Sequence, residues 1–192
     1  MLTHLIYAEW IKKISTNTLV FDIAQFFPLL NHQLLLLILN KASFNSRIGI
    51  FFWNYLVDRK TKYLWNNFPS PFFNVNVGIG QGSVLSLILL VLYLSSIFHI
   101  FEKNLKNLKI SISVILFVDD SLFISQNKSF NISNSNLFCS YNIISFLLEQ
   151  FRLVIEHRKM ELFHFSRLYG MFNPPPLDLT MLGGSILHLK KT

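Results

Sequence analysis

The sequence predicts a single α+β domain with a largely antiparallel sheet, and three observations carry that expectation. Short apolar runs of strand length stop at aspartates or turn residues. Longer apolar stretches between them repeat at helical spacing. The connections carry hairpin chemistry rather than the long crossovers that parallel strands need. With 192 residues the chain can bury one ordinary core, and no internal repeat or long linker divides it.

Residues 1 to 17 suggest one short helix. Leu19 to Ile23 is an apolar strand that meets Asp22 near its end. Phe26-Phe27-Pro28 turns the chain, and Asn31 can cap a helix over His32 to Ala42. A second helix is expected over Ile48 to Arg59, where Phe51, Phe52, Tyr55 and Leu56 fall at helical spacing. Tyr63 to Trp65 and Phe72 to Val77 read as the two strands of a hairpin, with Asn66-Asn67 and Pro69-Ser70-Pro71 between them. Gly78, Gly80 and Gly82 make a loop, and Ser83 is placed to cap the apolar helix that begins at Val84. Ile110 to Val118 alternates and then turns wholly apolar, as a strand does that becomes buried along its length. Asp119-Asp120-Ser121 interrupts it and Leu122 to Ile124 resumes it, which gives a hairpin with two carboxylates at its tip. A polar loop over Asn127 to Asn136 and an amphipathic helix over Leu137 to Phe151 follow. Val154-Ile155 and Leu162 to Phe165 are strands around the basic turn His157-Arg158-Lys159; Pro174 to Pro176 close that unit. A last hairpin turns at Gly183-Gly184.

The net charge of +7, from 17 basic against 10 acidic residues, favours a polyanionic partner, either nucleic acid or an acidic membrane surface. A mean hydropathy of +0.43 keeps a small membrane protein in view, with Val84 to Phe101 as its span of about 18 residues. That stretch carries three serines and a histidine, which weakens it as a span. No basic-then-apolar signal pattern opens the chain, because Glu9, Lys12 and Lys13 interrupt the first apolar run. Cys139 is the single cysteine and sits in an apolar-leaning run, so nothing requires an oxidising compartment.

Of the five aspartates, Asp22, Asp119 and Asp120 stand at the ends of apolar strands, where a charge is costly without compensation. Carboxylates gathered in this way repel one another unless a cation lies between them, and hard divalent ions supply that cation in phosphoryl-transfer sites. Taken by itself, Asp119-Asp120 reads more simply as a solvated hairpin turn.

The order of the motifs adds more. FDIAQFFPLLNH (Phe21 to His32), GQGSVLS (Gly80 to Ser86), FVDD (Phe117 to Asp120) and the lysine of EHRKMELFHFS (Glu156 to Ser166) occur in one succession. That succession resembles motifs A to D of reverse transcriptases, most closely those of non-LTR retrotransposons, over about residues 18 to 190. The resemblance implies a palm-like antiparallel sheet packed on helices, with partial fingers and no thumb or primer grip. It implies RNA-directed DNA polymerase chemistry by two-metal phosphoryl transfer, with little activity from this piece alone. It implies two Mg²⁺ ions (Mn²⁺ as a substitute) on Asp22, Asp119 and Asp120, and an RNA template, a DNA primer and deoxynucleotides as partners. Phe27 would exclude a 2′-hydroxyl, Gly80, Gln81, Gly82 and Ser83 would line the template and nucleotide pocket, and Lys159 would serve the departing pyrophosphate. Core packing for Phe27, a polar helix entrance for Gln81 and a solvated turn for Lys159 remain open from the residues alone. Arg59, Lys60 and Lys62 are candidates for template phosphates. The sequence departs from the family pattern at Leu29, Leu87, Ser121, Arg158 and Met160, where serine, proline, glycine, glycine and threonine are usual. Had the replaced glycine carried a positive φ, Arg158 would be strained. An intracellular location is expected, nuclear if the chain acts in retrotransposition, without stable membrane association. The rival functions are a non-catalytic nucleic-acid-binding remnant and the small membrane protein.

Overall fold

A computed structural model describes residues 2–42, 44–118, 120–165, 177–180 and 186–189. In chain order the elements are α1 (Leu2–Ile11), β1 (Ser15–Ala24), α2 (Phe26–Leu29), α3 (His32–Lys41), α4 (Ser46–Leu56), β2 (Lys60–Thr61), β3 (Leu64–Trp65), β4 (Phe68–Pro69), β5 (Phe73–Asn74) and α5 (Val84–Asn107). They continue with β6 (Ser113–Phe117), β7 (Asp120–Asn127), α6 (Phe130–Gln150), β8 (Val154–Ile155), a 3₁₀ turn over His157–Lys159, β9 (Glu161–Phe165), β10 (Leu177–Thr180) and β11 (Ile186–Leu189). The class is α+β, with every strand pair antiparallel. Two compact units emerge. The first is Met1–Ala24, His99–Gln150 and Val154–Thr192; the second is Gln25–Phe98 with Phe151–Leu153.

The first unit is built on β1. It pairs with β7 on one side and with β9 and β8 on the other, and β6 extends the sheet beyond β7. Because strand side chains alternate, Asn17, Leu19, Phe21 and Ile23 share one face, while Thr18, Val20 and Asp22 share the other. The odd-numbered face is the core. Leu19, Phe21 and Phe123 are fully buried, with Phe123 edge-on to Phe21 (4.9 Å) and stacked on Phe101 (5.1 Å). Helix α6 meets this sheet through polar as well as apolar contacts. Asn17 Nδ2 donates to Asn134 Oδ1 (2.8 Å), and the Ser133 hydroxyl donates to the Ser125 carbonyl (2.9 Å).

Those bonds explain one departure from expectation. The polar stretch read as a loop to Asn136 is helical from Phe130, because Ser133 and Asn134 face the sheet and find partners there. A second correction concerns β6. It starts only at Ser113 and is an edge strand, with Leu116 and Phe117 exposed (38% and 75%) rather than becoming buried.

In the second unit the Asn31 side chain caps α3 by accepting from Leu34 N–H (3.0 Å), as its position predicts. Helix α4 begins at Ser46 with Asn45 accepting from Arg47 N–H (3.0 Å). The expected pairing of residues 63–65 with 72–77 is replaced by two nested ladders. Leu64 and Trp65 pair with Pro69 and Phe68, and Lys60 and Thr61 pair with Asn74 and Phe73. The inner turn is Asn66-Asn67, both left-handed (φ 46° and 65°), the two-residue turn whose twist suits a hairpin. Tyr93 on α5 is fully buried against Phe26 and Phe151 and donates its hydroxyl to the Phe151 carbonyl (2.8 Å). Burial pushes that phenol far above its ordinary titration range. Helix α5 is long and apolar enough to cross a membrane, yet Leu89, Leu90, Tyr93, Leu94 and Ile97 on it are buried at helical spacing. The β10–β11 ladder pairs Leu177 with Leu189 through Thr180 with Ile186, where strands over Leu179 to Leu182 and Ile186 to Leu187 are expected. Gly183-Gly184 and Pro174 to Pro176 lie outside the described residues.

Candidate active site

Register decides which carboxylates meet. In the β1–β7 ladder Asp22 stands directly opposite Asp120, so both side chains project from the same, non-core face of the sheet. Like charges so opposed destabilise a sheet by up to about 1 kcal/mol unless a cation intervenes. One cation is already present. Lys159 Nζ lies 2.5 Å from Asp22 Oδ2, and the Asp22 carbonyl accepts from Glu156 N–H (2.8 Å), tying the lysine turn to the strand. The lysine side chain is 65% exposed and the aspartate 13%, so solvent screening holds this pair to about 1 kcal/mol or less.

The other oxygen of the same carboxylate, Oδ1, is buried with no hydrogen-bond partner among the described residues. A buried carboxylate oxygen in that state has unused ligand capacity, which fits a hard cation such as Mg²⁺. Asp120 is exposed and offers the opposing carboxylate. Asp119 lies outside the described residues, and among the described residues no group of three His, Cys, Asp or Glu side chains converges.

The hairpin tip itself is strained. Pairing of Phe117 with Asp120 leaves a two-residue turn, and Val118 occupies it at φ 59°. A β-branched residue is rarely found there, and such strain gathers where a site must hold a fixed shape. Arg158, by contrast, has no positive φ, so the strain anticipated beside the lysine is absent. Ser121 is buried opposite Phe21.

Two residues that sequence reasoning missed hold the lysine turn. The Tyr141 hydroxyl on α6 shares a hydrogen bond with His157 Nε2 (2.9 Å). Sixteen residues of separation and no periodic pattern connect them, so only the packing of α6 reveals the pair. Burial holds the His157 pKa below its ordinary 6.5, with nearby Glu156 opposing. The unfolded chain therefore binds this proton near 6.5 and the folded chain only at lower pH. The associated stability is complete above 6.5 and is lost progressively as pH falls from there through the lowered folded-state value. Urea midpoints measured on either side of pH 6.5 should show the acid-side drop shrink in His157→Gln; an unchanged drop would remove His157 from this role.

The remaining candidates belong to the second unit. Phe27 is half-buried in α2 with its ring 6.3 Å from Phe26, and its carbonyl accepts from Ile79 N–H (2.8 Å). Gly78 is the anchor of the glycine loop. Its N–H donates to Leu30 (2.8 Å), and its carbonyl accepts from His32 Nε2 (2.6 Å) and Arg59 Nη1 (3.1 Å). A carbonyl only accepts, so the His32 bond fixes a proton on Nε2. Arg59, expected at template phosphates, thus spends its guanidinium on this loop and on the Tyr55 ring (5.5 Å). Gly80, Gln81 and Gly82 follow as an open loop with Gln81 exposed and Gly82 at φ 86°. Ser83 then starts α5, its carbonyl accepting from Ser86 and Leu87 N–H (3.1 and 3.4 Å).

The structure therefore brings Asp22, Asp120 and Lys159 together in one unit, and links Phe27 to the glycine loop in the other. The family model for reverse transcriptase (RNA-dependent DNA polymerase) matches residues 5–186. No curated protein matches the chain. Among solved structures, telomerase from Candida tropicalis in complex with a TWJ fragment of telomeric RNA is similar at TM-score 0.65 and 15% identity, over 85% of this chain and 28% of that one. Apo telomerase from Candida tropicalis gives 0.61 and 16%, over 94% and 33%. Telomerase from Candida albicans with a TWJ fragment gives 0.51 and 14%, over 93% and 31%. The likeness is one of fold, and the chain spans about a third of the length of these structures.

Proposed function

Because the chain belongs to the reverse transcriptase (RNA-dependent DNA polymerase) family, we propose that it supplies the palm of an RNA-directed DNA polymerase of the non-LTR retrotransposon type. The observation that carries the proposal is the opposition of Asp22 to Asp120, with a buried oxygen on Asp22 that has no partner among the described residues. Asp22, Asp119 and Asp120 would hold two divalent cations, Mg²⁺ or Mn²⁺. Those ions, when bound, lower the pKa of a primer 3′-hydroxyl and stabilise the entering and leaving oxygens. The chain's own contribution is positioning and charge. Asp22 is held by its strand and by the Glu156 amide, and Lys159 stands beside it as a largely exposed cation placed to meet the pyrophosphate charge. Phe27 and the Gly80–Ser83 loop contact the deoxynucleotide and the template. An RNA template, a DNA primer and deoxynucleotides are the partners, and action in retrotransposition places the chain in the nucleus. The rate depends on how primer and template are oriented, and the chain by itself extends primers weakly or not at all.

Calorimetric titration of Mg²⁺ or Mn²⁺ into the chain tests the centre without requiring turnover. Asp22→Asn should weaken binding about tenfold or more, each 1.4 kcal/mol of lost interaction being a factor of ten. Any RNA-templated extension seen with Mg²⁺ should vanish in the same variant. Cation binding indifferent to Asp22 would refute the polymerase reading, and RNA binding that survives it would leave the non-catalytic remnant.

A further inference from the structure

The nested hairpin of the second unit is unusual in what it leaves in water. Tyr63, Trp65, Phe68 and Phe72 are 68%, 79%, 78% and 66% exposed, and Phe73 is 47% exposed. Large aromatic side chains normally supply the core, and a contiguous exposed set marks a binding face. The register orders these rings. Trp65 pairs directly with Phe68 across the Asn66-Asn67 turn, so the two rings share one face. Behind them Tyr63 lies against Phe73 with centroids 5.8 Å apart, and Lys62 Nζ stands 5.7 Å above the Phe72 ring. Lys60 is exposed on the outer ladder opposite Asn74. From residue 58 to 77 only Asp58 is acidic.

Rings interleaved with cations, flanked by exposed amides and almost free of carboxylates, match one ligand chemistry. We infer that this hairpin is a stacking platform for single-stranded nucleic acid. Unpaired bases lie on Trp65 and Phe68, and the phosphates that follow reach Lys60 and Lys62. A duplex keeps its base faces stacked on one another and so cannot use the rings. A bilayer is the poorer match, because Asn66, Asn67, Asn74 and Asn76 would have to be held against the acyl chains by the same short ladders. The inference rests on the polymerase reading only for identifying the strand as template; the ring array stands by itself.

Fluorescence anisotropy of the 192-residue chain with labelled oligouridylate, and with an RNA duplex of the same length, tests it. The single strand should bind more tightly. The double variant Trp65→Ala/Phe68→Ala should weaken single-strand binding by about tenfold or more while leaving its salt dependence unchanged. Lys60→Gln/Lys62→Gln should instead flatten the slope of log affinity against log salt by about 0.7 per lysine. All four side chains are exposed, so folding should persist; Trp65→Leu/Phe68→Leu, which keeps apolar bulk without a π-face, should behave as the alanine pair. Single-strand affinity unchanged by loss of the rings overturns the platform. So does loss, in the same variant, of binding to phosphatidylcholine–phosphatidylserine vesicles or of self-association in sedimentation while RNA affinity holds. Cation binding that fails to respond to Asp22→Asn beside ring-dependent RNA binding removes the polymerase and leaves the platform; the reverse pattern removes the platform alone.

Discussion

Gly78→Val should cost the second unit roughly 3 kcal/mol or more, read as a lowered urea midpoint or as failure to fold. A Cβ at this position would sit 2.6 Å from the Pro28 carbonyl oxygen and 2.9 Å from Pro28 Cα, both backbone atoms that cannot swing aside. The φ of 79° adds about 1–2 kcal/mol for any L side chain. Displacement of the segment would also strip partners from the Leu30 carbonyl, His32 and Arg59, each a polar group drawn from water. Gly82→Val is the internal control. Its φ of 86° is similar, yet nothing lies within 4 Å of its added Cβ, so about 1–2 kcal/mol is expected. Equal costs at the two positions would show that the close approach to Pro28 does not matter. The consequence reaches function, because the Gly78–Ile79 segment is what ties Phe27 to the loop carrying Gln81.

The second large effect is expected in the first unit. Phe123→Ala should destabilise it by about 3–5 kcal/mol, the range for emptying a fully buried phenylalanine site. The residue is completely buried, edge-on to Phe21 and stacked on Phe101 with planes 18° apart. Ring pairs of this kind add about 0.5–1.5 kcal/mol beyond the area they bury. A double-mutant cycle with Phe101→Ala should therefore return a coupling in that range. Phe123 belongs to the strand that begins at Asp120, so slack at this ring would also loosen the register that sets Asp120 opposite Asp22. A cost below about 1 kcal/mol would mean that the ring sandwich does not hold the sheet.

The sheet and its carboxylates were legible in the sequence because apolar runs ending in aspartate have few ways to pair. The pairing of Phe117 with Asp120 fixes one ladder, and the core face of β1 fixes the next. The first third of α6 was not legible, since Ser133 and Asn134 look like loop residues until the sheet supplies their partners. Burial of β6 was misread for the opposite reason: an apolar letter string says nothing about which strand is outermost. The second unit followed the sequence at its caps, where Asn31 and Asn45 act locally, and departed from it in the hairpin. There the left-handed Asn66-Asn67 pair selects a tight inner turn over the wider Pro-Ser-Pro one. In the candidate site, the pairing of Lys159 with Asp22 spans 137 residues and belongs to tertiary structure alone.

The outermost position of β6 has a practical outcome for the isolated chain. Its backbone donors and acceptors face outward beside exposed Leu116 and Phe117, with no partner strand there among the described residues. Such a border is a template on which another copy can dock strand to strand, and the apolar sequence around it supplies the drive for growth into insoluble cross-β material. The purified chain should therefore be kept dilute, and a lysine introduced on that border is the natural way to keep it in solution.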